Sequence, residues 1–205
     1  MQTIDQALEK LQKSNFRAKF YLAAKDKEYV REKGFDTIRA HAEEWHVDPD
    51  KIAVMGSSAG GHLAATLGML WNDPEIVETL GIEQGSNRPN AIVLNYTPVI
   101  SNEQLLSGST RKIHGEDKTR EEYMALSLER FVGEHTPPCF MWHTLEDRTV
   151  PVEHPLLFSL ALRKHNIPFE LHVFEKGAHG LSTCQADVAS SPAVPPVPVL
   201  PTSAI

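Results

Sequence analysis

IAVMGSSAGGHLAATLG, residues 52–68, joins a short apolar run to a segment with helical spacing, and a serine stands between two glycines at the join. The run Ile52–Met55 is continuously apolar, which suits a strand buried on both faces. Gly56-Ser57-Ser58-Ala59-Gly60 then matches GxSxG, with Ser58 at the centre. A strand before this pattern and a helix after it predict a strained turn that pushes the central hydroxyl out at a helix N-terminus. Gly56 and Gly60 are expected to let strand and helix approach closely. The N–H of Ala59 becomes one oxyanion donor, because first-turn N–H groups lack intrahelical partners and favour developing negative charge. Ser57 reads as a turn residue. A glycine-rich loop without chemistry would also fit the pentapeptide, so the rest of the chain has to decide.

The rhythm around it is strand and helix in alternation. Ile4, Leu8 and Leu11 have helical spacing over 1–13, and NFRAKFYLA (15–23) reads as a strand. KDKEYVREK (25–33) alternates in charge and reads as solvated surface. Phe35, Ile38, Ala42 and Trp45 form one helical stripe before Asp48-Pro49-Asp50 breaks it. Helices are expected over 59–70 and 74–80, then a strand, AIVLNY (91–96), and a polar insertion over 101–120. EEYMALSLERF (121–131) reads as a helix, CFMWHT (139–144) as a strand, 155–165 as a helix and ELHVF (170–174) as the last strand. Apolar strands alternating with helices predict an α/β fold, a mostly parallel sheet of about five strands with helices on both faces. The domain is expected to span 1–189, and the proline-rich stretch 190–205 to form a disordered or polyproline-like tail.

Composition narrows the chemistry. The 205 residues are 41% hydrophobic and 23% charged, with a net charge of −7, which fits a globular protein and argues against a nucleic-acid partner. No apolar run reaches a membrane span, and the N-terminus lacks the order of a secretory signal. Cys139 and Cys184 show no disulfide framework or metal spacing and are expected to be buried thiols in the cytoplasm. No cofactor and no metal are expected.

A serine nucleophile needs a base, and the base needs an orienting acid. In a parallel α/β sheet these should follow at the ends of later strands, in the order serine, acid, histidine. Strand 139–144 runs into Leu145-Glu146-Asp147, and strand 170–174 runs into a loop carrying His179. Asp147 is therefore the candidate acid, with Glu146 as the alternative, and His179 the candidate base. His172 and His143 are expected to be structural, and His62 to pack or cap its helix. His114, His135, His154 and His165 lie in polar stretches and are expected at the surface.

With these residues in place, three segments resemble the acetylxylan-esterase-like carbohydrate esterases of the α/β-hydrolase superfamily, near the dienelactone hydrolase and prolyl-oligopeptidase-type branch. They are IAVMGSSAGGHLAATLG, LNYTPVIS (94–101) and the long stretch 136–181, TPPCFMWHTLEDRTVPVEHPLLFSLALRKHNIPFELHVFEKGAHGL. The resemblance spans 35–181. It implies Ser58 as nucleophile, His179 as general base, Asp147 as orienting acid, no cofactor, and small acyl esters as substrates, acetylated sugars foremost. The chain departs from the family pattern at both ends. The glycine-rich upstream loop that supplies a second oxyanion N–H has no counterpart, since Gly34 is the only glycine before Gly56. If the chain nevertheless deacetylates at ordinary rates, a group in the Asn15–Ala24 region is expected to supply that donor. Two alternatives stay open: a hydrolase-like protein with weak or no activity, and a prolyl-oligopeptidase-type peptidase. A shortened sheet is also expected to self-associate.

Overall fold

The computed structural model describes residues 35–106, 108–115 and 117–181. The expected elements at 1–13 and 15–23, the charged stretch 25–33, Cys184 and the proline-rich tail lie outside them. Among the described residues four strands form one sheet, β1 (Ala53–Ser57), β2 (Ala91–Asn95), β3 (Cys139–Thr144) and β4 (Phe169–Phe174). They are all parallel and lie in chain order. Parallel neighbours require crossovers, and helices fill them. Helix α1 (Phe35–Ala40) precedes β1, and α2 (Ala59–Leu70) and α3 (Pro74–Leu80) lead to β2. Helices α4 (Gly108–His114) and α5 (Arg120–Ala125) and a 3-10 turn (Leu128–Phe131) lead to β3, and α6 (Glu153–Lys164) leads to β4.

Three elements depart from the sequence expectation. The 101–120 insertion is not wholly irregular, because α4 lies within it. The stripe over 35–45 supports only six helical residues before turns take over. The expected helix 121–131 breaks in two. Thr119 starts α5 with a capping box to Glu122, but Leu128 N–H goes to the Val99 carbonyl and Ser127 Oγ accepts from Ser101 N–H. Those long-range bonds take the place of a continued helical ladder.

Register separates the two faces of the sheet. Val54, Ile92, Leu94, Cys139, Met141, Phe169 and Leu171 face α2, α6 and the 3-10 turn and form the main core with Ala65, Met69, Phe158 and Leu162. Burying each large side chain of this set contributes about 1.5–3 kcal/mol. On the other face Met55, Val93 and Phe140 stand in one cross-strand row. Towards the strand ends that face carries a smaller cluster of Tyr96, Trp142, Phe174 and Leu181. Met55 is 66% exposed, and β1 has no second neighbour among the described residues. An apolar row beside an open edge favours association. Met55→Lys should therefore shift the chain towards monomer in light scattering. An unchanged mass distribution would assign any association to another surface.

Candidate active site

The join quoted at the outset is a sharp turn. Ser57 ends β1 and Ala59 begins α2, so Ser58 alone reverses the chain, with φ 53° and ψ −125°. A non-glycine residue there is strained, and such strain collects at functional sites. Gly56 makes the turn possible: a Cβ on it would lie 2.2 Å from the Gly60 carbonyl oxygen. The expectation for Gly60 is corrected, since a Cβ there would meet nothing within 4 Å. Gly61 is the second tight position, where a Cβ would lie 2.0 Å from Thr97 Oγ1.

The structure brings three sequence-predicted side chains into one chain of hydrogen bonds. Ser58 Oγ lies 2.8 Å from His179 Nε2, and His179 Nδ1 lies 2.6 Å from Asp147 Oδ2. The second Asp147 oxygen accepts the N–H groups of Thr149 and Val150, each at 2.9 Å. Burial alone would raise the Asp147 carboxyl pKa. The hydrogen bonds from His179, Val150 and Thr149 outweigh it and hold the group below its ordinary value. Asp147 is thus an anion with both oxygens hydrogen-bonded, as a buried carboxylate must be. Ala59, the residue after Ser58, opens the first turn of α2.

Glu146 is adjacent in sequence but separate in role. Its carboxylate accepts from Gly177 N–H at 3.1 Å and from Lys176 Nζ at 3.2 Å. These two bonds hold its pKa low and tie the histidine loop to the acid loop. Thr144 Oγ1 adds a bond to the Gly177 carbonyl at 2.8 Å. Gly177, at φ 134°, has no room for a side chain, since a Cβ would meet Leu181 Cδ1 at 2.7 Å.

Sequence reasoning missed the corner after β2. Asn95 accepts Ser58 N–H on its carbonyl, and its side-chain amide donates to Ser57 Oγ. Tyr96 follows at φ 40° and packs edge-on against His179, ring centroids 5.0 Å apart. The available signal was position: the carboxyl end of a parallel strand next to the nucleophile strand is where such folds build their sites.

The remaining histidines are redistributed by the fold. His62 is buried and donates from Nδ1 to the Pro98 carbonyl at 2.8 Å. His114 packs edge-on against it at 4.9 Å, and His135 bonds the Met69 carbonyl. His154, expected at the surface, is fully buried and accepts Ile100 N–H on Nδ1. His172 is half-exposed and lies 3.5 Å from Glu170. Among the described residues no group of three or more His, Cys, Asp or Glu side chains could hold a metal ion. No described helix is long and apolar enough to cross a membrane.

Burial is the main cause that lowers the pKa of His62 and His143, of His114 to about 4, and of His154 to about 3. The unfolded chain protonates all four near pH 6.5, so below that pH it binds more protons than the folded one and stability falls. The melting temperature should drop steadily from about pH 6.5 towards about pH 4. His154→Asn, whose side-chain oxygen can still accept Ile100 N–H, should flatten the slope. A melting temperature that is level across this window would contradict the assignment.

A parallel sheet, helical crossovers and a strained serine turn whose hydroxyl meets a strand-end histidine define an α/β-hydrolase. Comparison with known proteins agrees. The BD-FAE family profile matches residues 32–162, and the chain belongs to that family. A profile for a domain of unknown function, DUF4186, matches residues 5–58. Endo-1,4-beta-xylanase B of Butyrivibrio fibrisolvens is 37% identical over 75% of this chain and 24% of its own length. Acetylxylan esterase of Xylanibacter ruminicola is 30% identical over 73% of this chain and 30% of its own. The chain thus spans under a third of either relative. Among solved structures, the acetyl ester-xyloside bifunctional hydrolase of Caldicellulosiruptor lactoaceticus is 39% identical, with a TM-score of 0.61. That match covers 76% of this chain and 57% of the other. A sugar hydrolase of Lactococcus lactis is 30% identical at TM-score 0.60, covering 88% and 62%. The chain is an acetylxylan-esterase-like member of the α/β-hydrolases.

Proposed function

We propose that this chain is a serine esterase that removes small acyl groups, acetyl foremost, from carbohydrate esters. The observation that carries the reading is the hydrogen-bond chain from Ser58 Oγ through His179 to Asp147, with links of 2.8 and 2.6 Å. In the proposed cycle Ser58 Oγ attacks the ester carbonyl while His179 Nε2 takes its proton. Asp147 holds the Nδ1–H and stabilises the imidazolium. The carbonyl oxygen, now an oxyanion, accepts the Ala59 N–H. Collapse of this intermediate expels the sugar alkoxide, which leaves as the alcohol with the proton from His179. Water then repeats the sequence on the acyl-serine and releases acetate. The acetylated-sugar assignment is supported by the acetylxylan esterase and acetyl ester-xyloside hydrolase relatives. The test is fluorophosphonate labelling of Ser58, beside hydrolysis of p-nitrophenyl acetate and acetylated xylo-oligosaccharides. A chain that neither labels nor hydrolyses either ester would defeat the reading.

Leaving-group dependence follows from the oxyanion donors. Ala59 N–H is the oxyanion donor proposed among the described residues, and one such donor is worth ~10²–10³ in turnover. p-Nitrophenyl acetate, with its stabilised phenolate, should depend less on these donors than acetylated sugars do and should turn over faster than they do. Equal rates on p-nitrophenyl acetate and acetylated oligosaccharides would contradict this dependence.

A further inference from the structure

We propose that His143 is a positioning residue for Asp147: its Nε2–H donates to the Val150 carbonyl and so fixes the turn that aims the carboxylate at His179. The proposal rests on the esterase reading above and adds a fourth side chain to it.

His143 is fully buried one residue before the end of β3. A leucine or methionine could fill that volume without the cost of desolvating an imidazole, so its polar contacts need a purpose. Nε2 lies 2.8 Å from the Val150 carbonyl oxygen and 3.5 Å from Asp147 Oδ2. Both are acceptors, so Nε2 carries the proton. The shorter contact is the hydrogen bond proper, and the longer one grazes the oxygen that also receives His179 Nδ1–H. Val150 in turn gives its own N–H to the other Asp147 oxygen at 2.9 Å. One buried donor thus pins Val150 from its carbonyl side while Asp147 pins it from the amide side.

The charge state suits this role. Burial first of all lowers the pKa of His143, against the pull of the Val150 carbonyl, Asp147 and Glu153. His179 also acts to lower it, and His143 in turn disfavours a charge on His154 at the start of α6. A neutral His143 donates a proton without offering Asp147 a second cation. The carboxylate therefore keeps its charge for the imidazolium that forms on His179. Nδ1 of His143 has no protein partner, so the polar contacts of the ring converge on the acid turn alone.

The test uses the full chain with His143→Gln, His143→Asn and His143→Leu. The readouts are the rate of fluorophosphonate labelling at Ser58, and kcat and KM on p-nitrophenyl acetate. A glutamine Nε2 can reach the place of the imidazole Nε2, whereas an asparagine amide falls short. Gln should stay close to wild type, while Asn and Leu should lose on the order of 10²-fold in kcat with little change in KM. In an Asp147→Asn background, His143→Leu should add no further loss, because it acts through the same carboxylate. Asn and Leu variants as fast as Gln, or a Leu loss undiminished in that background, would overturn the proposal. If the Leu variant does not fold, the contrast between Gln and Asn decides. A wild-type chain that does not label, or an Asp147→Asn variant that labels at the wild-type rate, overturns the esterase reading and this proposal with it. A negative result confined to His143 leaves that reading standing.

Discussion

Ser58→Ala should lower ester hydrolysis on the order of 10⁶-fold, the scale expected when a nucleophile is removed from a concerted relay. The fold should survive. Alanine keeps the Cβ and the same φ of 53°, so the strain at the turn is unchanged and only the hydroxyl is lost. The bond to His179 Nε2 goes with it, but that ring keeps its bond to Asp147 and its packing against Tyr96. Ser58→Gly makes a useful companion. It should be equally inactive yet more stable, by about 1 kcal/mol, because glycine tolerates positive φ. Kinetics on p-nitrophenyl acetate and thermal melts check both statements. Residual activity in Ser58→Ala above a hundredth of wild type would move the nucleophile elsewhere, with Ser57 the first candidate.

Asp147→Asn should cost about 10⁴-fold in kcat, the scale set by an amide that leaves geometry intact but presents the wrong partner to the histidine. The Asn oxygen can still take the two N–H groups of Thr149 and Val150. Its amide nitrogen would then face His179 Nδ1, where a donor meets a donor unless the imidazole changes tautomer. In that tautomer Nε2 carries the proton and can no longer accept one from Ser58. Glu146→Gln is the contrast. It removes the charge beside Lys176 but can keep an acceptor for Gly177 N–H, so its effect on activity should be small, as for exposed ion pairs. The two variants assayed side by side distinguish the acid from its neighbour. A Glu146→Gln variant that loses more activity than Asp147→Asn would reverse the assignment.

The serine turn, the crossover rhythm and the strands at 91–96, 139–144 and 170–174 were legible in the sequence because each is a local pattern. A continuously apolar run reports a strand covered on two sides, and a GxSxG between strand and helix reports one sharp turn. Chain order placed the acid and base candidates, because parallel strands put all their carboxyl ends on one edge. The same local patterns failed where coverage came from far along the chain. Ile52–Met55 reads as a doubly buried strand, yet Met55 is exposed on the face opposite the main core. His154 sits in a polar stretch, yet the fold buries it against the Ile100 amide. Glu146 and Asp147 are indistinguishable in one dimension.

The sequence by itself determined the strands at 53–57, 91–95, 139–144 and 169–174 to within a residue or two, the parallel character of the sheet and the side chains that could carry the chemistry. These depend on each segment's own apolar period and glycine positions. Only the tertiary structure decided that Asp147 meets His179 while Glu146 turns to Gly177, and that His143 and Tyr96 join them. The contacts link residues 32 and 121 positions apart. Successive side chains leaving a strand point in different directions, and only packing of the loops against each other selects which one meets the histidine.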